Sequence, residues 1–363
     1  MSYDDRVLFS ATTNALSHFA DLVNAIAVTN STMEVLVTPR GLMFKTTERG
    51  VFEISTLLEP GFFKNFDLIT TDQPIRVFLD MDSFIESVNL ANTMAAASES
   101  SGETVQCTFS YHHIGDPFIV TFEDDQILER VEFMIISDTG LENEDSTDSA
   151  ITGENQGDYF QIDPSRLCLD MMLDSAMLYG ILKDLKEVKT EQIYLYCAIE
   201  DDNPRVVFVS KGEVGYSRMT LPNINNALKE MAIYRDERPT TEDSVSTFYS
   251  FESFSKILRT ASLATTIKFK IDTDGRTVMS LLITNTKSSI TTVIEFKVLQ
   301  TSDLNHDASM INNTFMTRLV SKEQKVSTSR HSNTAGTQLE TLVNVERAQH
   351  RRTESGQDLP LFL

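Results

Sequence analysis

The chain has 363 residues, 41% of them apolar and 22 of them phenylalanine, too long for one small module and enough to fill two sheet-based cores. No run of 18 apolar residues occurs, and the opening MSYDDRVLF has neither a basic nor an apolar leader, so neither a membrane span nor a signal peptide is expected. The formal net charge of −22 is unevenly spread: Lys and Arg against Asp and Glu number 7 against 20 in residues 1–137, 0 against 7 in 138–158, 17 against 19 in 159–300, and 7 against 7 in 301–363. An acidic sum does not exclude nucleic acid, because the local potential of gathered cations sets the contact.

Asn14 to Val28 predicts a helix, with Leu16, Phe19, Ala20, Val23 and Ala27 at near-helical spacing and no Lys or Arg. Glu34 to Thr38, Leu42 to Thr46 and Phe52 to Leu57 read as short strands punctuated by Pro39, Gly41 and Gly50. Ile75 to Leu79 leads into a helix opened by Asp82, whose Phe84, Ile85, Val88 and Ala91 share one side and which runs to Asn92. Ala95 to Gly102 reads as a small-residue loop.

The cleanest pattern follows. Val105, Cys107, Phe109 and Tyr111 alternate with polar residues, His112 to Asp116 holds a turn, Phe118, Val120 and Phe122 make a second strand, and Val131, Phe133 and Ile135 a third. This is an antiparallel meander with one face on a core. Residues 138–158, DTGLENEDSTDSAITGENQGD, carry seven acids and no cation, and read as an extended connector, either a solvated linker or a docking strip for partner proteins.

Phe160 to Met172 gives one or two strands, and Asp174 then caps a helix with the apolar stripe Leu178, Leu182, Leu185 and Val188. Lys183, Lys186 and Lys189, three apart, share its polar flank. Ile193 to Ala198, Val206 to Ser210 and Val214 to Leu221 are further strands, and Tyr234 to Ser246 reads as a polar loop. A second short helix carries Phe251, Phe254, Leu258 and Ala261, with Lys256 and Arg259 on its flank. Ile267, Phe269 and Ile271, the turn signal Asp274-Gly275, Thr277 to Ile283 and Ile294 to Phe296 close with a second meander.

The two meanders say the same thing twice. Gly115 and Gly275 lie 160 positions apart (275 − 115), and Phe84 and Phe254 lie 170 apart (254 − 84). That loose period fits two divergent domains in tandem, not a solenoid. Beyond Gln300 the pattern fails, and 301–363 reads as a disordered tail. The tail holds a Thr337-Gln338 dipeptide of the kind some kinases accept, and it closes with LPLFL, either a docking peptide or a frayed end.

Chemistry-bearing groups are scattered. Cys107, Cys168 and Cys197 lack metal or redox spacing and read as free thiols of a reducing compartment. A two-metal nuclease needs three or four convergent carboxylates, whereas Asp80 and Asp82 start a helix and Glu123-Asp124-Asp125 fills a turn. His112-His113 sits in a turn, His306, His331 and His350 in the tail, and His18 alone on a helix; no zinc spacing, glycine-rich phosphate loop or nucleophile elbow occurs. No catalysis and no cofactor are expected.

Two similar halves, each with a helix, strands, another helix and a closing meander, resemble the PCNA-type sliding clamps. CTFSYHHIGDPFIVTFEDDQILERVEF, RGLMF at Arg40 to Phe44, LKDLKEV at Leu182 to Val188, VGYSRMTLP at Val214 to Pro222 and LPLFL look like the fungal Rad-one-type subunit of the nine-one-one DNA-damage checkpoint clamp. The resemblance covers residues 1 to about 300 and the last five, is most specific in the first meander, and is weak between Gln300 and Gln357. It implies an α+β fold of two tandem clamp domains, each with two helices on antiparallel sheet, at 1–137 and 159–300. It further implies a nuclear heterotrimeric ring with two other clamp subunits, placed around double-stranded DNA at damage by a clamp loader and acting on checkpoint kinases. Members of the family have also been described as exonucleases, and a homotrimeric replication-type clamp is the nearer alternative.

Carried onto this chain, the helices lining the hole are Asn14 to Val28, Asp82 to Asn92, Asp174 to Lys189 and Phe251 to Ala264. Lys183, Lys186, Lys189, Lys256 and Arg259 then face DNA, while the two cation-free helices depart from a uniformly basic lining. A ring lined with flexible cations holds a duplex without reading bases. Closure calls for head-to-tail pairing of sheet edges, for which Pro117, Phe118, Ile119, Val120 and Phe122, and Val206, Val207, Phe208 and Val209, are the candidates.

Overall fold

The computed structural model describes residues 7–28, 32–48, 50–69, 73–98, 105–124, 128–136, 160–200, 203–213, 215–221, 227–240, 243–285, 290–301 and 340–341. The expected connector, and the expected tail apart from residues 301 and 340–341, lie outside these. The first half runs β1 (Phe9–Thr13), α1 (Leu16–Ile26), β2 (Thr32–Thr38), β3 (Gly41–Glu48), β4 (Phe52–Leu58), β5 (Asn65–Leu68), β6 (Ile75–Asp80), α2 (Met81–Ser98), β7 (Gln106–Tyr111), β8 (Phe118–Glu123) and β9 (Leu128–Phe133). The second runs β10 (Leu167–Asp174), α3 (Ser175–Glu187), β11 (Thr190–Glu200), β12 (Asn203–Gly212), β13 (Gly215–Thr220), β14 (Leu228–Arg235), β15 (Arg238–Thr240) and β16 (Ser244–Ser250). It continues with α4 (Phe251–Ser255), α5 (Leu258–Leu263), β17 (Thr266–Asp272), β18 (Arg276–Thr284) and β19 (Thr291–Leu299), and β20 is Glu340–Thr341.

Apart from the short β15 and the split pair α4 and α5, the order of strands and helices is the same in both halves. The sheets repeat too. The order β5-β1-β7-β8-β9 matches β14-β10-β17-β18-β19, and β6-β2-β3-β4 matches β16-β11-β12-β13. The halves are joined because β19 pairs with β4, which fuses one sheet from each into ten strands. Alternating burial along β7 and along β17 to β19 sends Phe109, Phe269, Met279 and Phe296 into the core.

Four kinds of contact hold the β19–β4 seam. Five residues pair in antiparallel register from Ile294↔Thr56 to Val298↔Phe52, and the rings of Phe52 and Phe296 stack at 5.8 Å, both buried. On the opposite face charges alternate across neighbouring strands. Lys297 Nζ meets Glu53 Oε1 at 2.7 Å, Glu53 lies 3.8 Å from Lys45, and Lys45 meets Glu34 Oε2 at 2.6 Å. Arg76 closes this ladder on Glu34 at 2.8 Å. Finally α1 reaches over: the buried His18 places Nε2 3.1 Å from Thr292 Oγ1 on β19.

Local chemistry accounts for most element boundaries. Asp174 caps α3 as expected, its carboxylate accepting from the Ala176 N–H at 2.9 Å. The Asp274-Gly275 turn forms around Asp272 Oδ1, which accepts from the N–H groups of Asp274 and Arg276, with Gly275 at φ 78°. Gly41, at φ 139°, lets β3 start against the Leu58 carbonyl, where a Cβ would lie only 2.2 Å from that oxygen.

Four expectations need correction. α2 runs on to Ser98 where a loop from Ala95 was expected, because alanines are the best helix formers. The polar Tyr234 to Ser246 stretch is largely strand, in the end of β14, in β15 and in β16. Among the described residues β15 and β16 border their sheets, where one unpaired side tolerates polar residues, and β14 has beyond it only the three residues of β15. The helix expected from Phe251 breaks between Ser255 and Leu258, so Ile257 enters the core and Leu258 is only half-buried. α3 ends at Glu187 and Lys189 sits beyond it at φ 52°, in the left-handed position that ends many helices. Lys189 therefore does not continue the stripe of Lys183 and Lys186. The strands β1 and β5 were not anticipated.

Truncating Phe296 to Ala should destabilise the chain by about 3–5 kcal/mol, as for other buried phenylalanines. A double-mutant cycle with Phe52→Ala in urea denaturation should show coupling of about 0.5 kcal/mol or more. Burial lowers the pKa of His18 below its ordinary 6.5, with Asp21 opposing. The unfolded chain then takes up a proton that the folded chain resists, so stability is lost as pH falls below that value. The drop in melting temperature between about pH 7.5 and about pH 5.5 should shrink in His18→Gln.

Candidate nucleic-acid interface and sheet edges

The helices form one row. α1 packs against α2 on one side and α5 on the other, and α5 packs against α3. The α1–α5 contact, which crosses between the halves, is hydrogen-bonded three ways. Thr260 Oγ1 donates to the Ala25 carbonyl at 3.2 Å, Arg259 donates to Asn24 Oδ1 at 3.2 Å, and Lys256 Nζ donates to the Val28 carbonyl at 3.4 Å. Asn24 in turn exchanges amide hydrogen bonds with Asn89 of α2, so one residue ties three helices together.

Charge changes sign along this row. α1 presents Ser17 and Asp21 to solvent, and α2 presents Asp82, Glu86 and Leu90, with no cation on either helix. α5 and α3 enclose an open groove of about 530 Å³ lined by Tyr179, Lys183, Lys186, Glu187, Leu258, Arg259 and Ser262. Of the five expected cations, the structure brings Lys183, Lys186 and Arg259 to this groove. Lys189 stands apart in the α3–β11 turn. Lys256 is half-buried and spends its charge on a carbonyl just past the end of α1, where a helix dipole favours a cation. Tyr179 escaped the sequence reading, although its place four residues before Lys183 is the helical spacing that marks a shared face.

The expected edge strands are not edges. Pro117 introduces β8, and β8, with Phe118, Ile119, Val120 and Phe122, pairs with β7 on one side and β9 on the other. β12, with Val206, Val207, Phe208 and Val209, lies between β11 and β13. Their apolar character is that of central strands. A strand flanked on both sides and covered on its faces is the apolar one, and all of these residues but Pro117 are buried. β9 is the true border: among the described residues its outer side pairs with no strand, and it exposes Leu128 at 65%, with Met134 just beyond at 74%. β13 borders the other sheet: among the described residues its outer side carries only β20, through Ser217↔Thr341 and Arg218↔Glu340.

Carboxylates and thiols are occupied elsewhere. Asp80 Oδ1 accepts from the Ser83 hydroxyl at 2.5 Å and from its N–H at 2.9 Å, and these bonds hold its carboxyl below the usual range. Among the described residues no three His, Cys, Asp or Glu side chains gather as metal ligands would. Burial pushes the thiols of Cys107 and Cys197 far up and that of Cys168 to about 11, so none is a ready nucleophile.

Comparison with known proteins agrees with this architecture. Residues 8–284 match the family model described as repair protein Rad1/Rec1/Rad17. The DNA damage checkpoint control protein RAD17 of Saccharomyces cerevisiae is 27% identical over 273 residues, 74% of this chain and 63% of that protein. Its counterpart from Eremothecium gossypii is 24% identical over 285 residues, 77% of this chain and 68% of that protein. The chain thus spans about two thirds of the length of these relatives. Among solved structures, the proliferating cellular nuclear antigen of Entamoeba histolytica superposes with a TM-score of 0.59 at 14% identity, over 82% of this chain and all of that one. The PCNA2–PCNA3 complex of Sulfolobus tokodaii gives 0.57 at 10% identity, over 80% and 98%. With its repeated topology and helix row on antiparallel sheets, the chain has the PCNA-like sliding-clamp fold and belongs to the Rad1/Rec1/Rad17 family of repair proteins.

Proposed function

We propose that the chain is one non-catalytic arc of a heterotrimeric checkpoint clamp, set around double-stranded DNA at damage in the nucleus by a loader and acting there as a platform for checkpoint kinases and repair. Its two arms are the domains at 1–137 and 159–300, joined by the acidic connector. The observation that carries this reading is the β19–β4 seam. In the repeated topology β9 is the counterpart of β19, and β13 is the counterpart of β4. The chain makes one such seam inside itself and leaves one partner of a further seam at each end, which is the requirement for a head-to-tail ring. β9 would meet the β13-type strand of one neighbour, and β13, once β20 leaves it, the β9-type strand of the other.

DNA contact is assigned to Lys183, Lys186 and Arg259, with Lys189 and Lys256 at the margins of the same end of the row. The cation-free α1 and α2 weigh against a homotrimer, since three copies would give a hole lined on alternate arcs only. With partners of other sequence the remaining cations come from elsewhere. The cap made by Asp80 and the family's clamp fold support a platform over a nuclease.

Two measurements test this. The native mass of the complex purified with the full-length chain should equal one copy each of three different chains, and a stable self-trimer would overturn the reading. Leu128→Asp with Met134→Asp, both exposed, should leave the fold within about 0.5 kcal/mol yet release the chain from its complex. Separately, Lys183→Glu, Lys186→Glu and Arg259→Glu should each make the slope of log K against log salt for duplex DNA shallower, by about 0.9 for each phosphate no longer neutralised. An unchanged slope would mean that these residues do not face DNA.

A further inference from the structure

We propose that the groove between α3 and α5 holds an unpaired nucleobase, stacked on Tyr179, with the neighbouring phosphates on Lys183, Lys186 and Arg259. This rests on the DNA-facing reading of the groove and adds which state of the DNA the groove recognises.

The starting observation is the place of the phenol. Tyr179 is 36% exposed, whereas every other tyrosine and phenylalanine among the described residues is buried or half-buried. It contributes nothing to the core of its own helix, which is made by Leu178, Ile181, Leu182 and Leu185. Lys183 and Lys186 follow it at i+4 and i+7, so the three lie along one exposed side over about 10 Å of helix axis. Across the groove stand Arg259 and the half-buried Leu258, which supplies an apolar surface beside the cations. Glu187 is the one carboxylate on the wall, against three cations. Arg259 is held toward α1 by Asn24 and lies within electrostatic reach of Asp21, so it is positioned before any DNA arrives.

Cations alone would suit an intact duplex, whose phosphates are outside and whose base faces are already stacked on one another. An exposed aromatic ring among those cations offers something a duplex cannot use. It suits a base freed at a gap, a nick or a strand end, and because every base has a π-face it does so without reading sequence. The groove would thus distinguish interrupted DNA from continuous DNA while remaining indifferent to which base is free.

The test uses the full-length chain and two fluorescein-labelled DNAs, a short duplex and the same duplex carrying a central oligo-thymidine gap, with affinities read by anisotropy. The wild-type chain should bind the gapped DNA more tightly. Tyr179→Ala should lose that preference, weakening gapped binding by about fivefold or more while leaving duplex binding unchanged, and Tyr179→Phe should keep it. Equal wild-type affinities for the two DNAs, or a preference that survives Tyr179→Ala, would overturn the stacking site. If Lys183→Ala with Lys186→Ala weakens both DNAs in that event, the DNA-facing reading stands without it. If that double variant changes neither affinity nor salt dependence, both fall together.

Discussion

The joining of the two halves into one surface follows from one backbone pairing, that of β19 with β4. Hydrogen bonding between two strand edges is directional and satisfies groups that would otherwise need water, so it fixes the relative placement of the two halves far better than apolar contact could. The stacked Phe52 and Phe296 and the charge ladder from Lys297 to Arg76 then resist sliding of the register. Once the halves are held in this way, α1 and α5 come side by side, and four short helices from distant parts of the chain become a single surface.

That surface is asymmetric because the charge of the sequence is. The first half carries most of the acidic excess and gives the row its neutral and anionic end at α2 and α1. The second half supplies the groove between α5 and α3. A lining of this kind holds a polyanion through a few contacts on one side, while the rest of the surface discourages other binding. In the ring proposed above, retention on DNA depends on closure around it more than on the strength of any one contact.

The fold was legible from the sequence where alternation was clean. The meander around Phe109, its echo around Phe269 and the capping by Asp174 all stand where the pattern put them. Legibility failed where tertiary context overrides local pattern. The break at Lys256 and Ile257 leaves the apolar spacing of Phe251, Phe254 and Ala261 intact while moving Leu258 outward. The strands β14 to β16 are too polar to declare themselves, and the strands expected at the edges are central ones, since strand order within a sheet is set by long-range pairing that local pattern does not carry. Of the expected cations, those on the exposed side of α3 and α5 reached the groove; Lys189 and Lys256 did not, since each falls where a helix ends.

The bordering strand β9, with Leu128 and Met134 bare to solvent, has a consequence for the cell as much as for the molecule. If its sheets are completed by neighbours, as proposed above, the chain carries until they arrive an open template on which any extended polypeptide can add. Copies made in excess of those neighbours would clump or be degraded, so supply must be matched to demand, and the abundance of this chain should rise and fall with that of whatever completes its sheets.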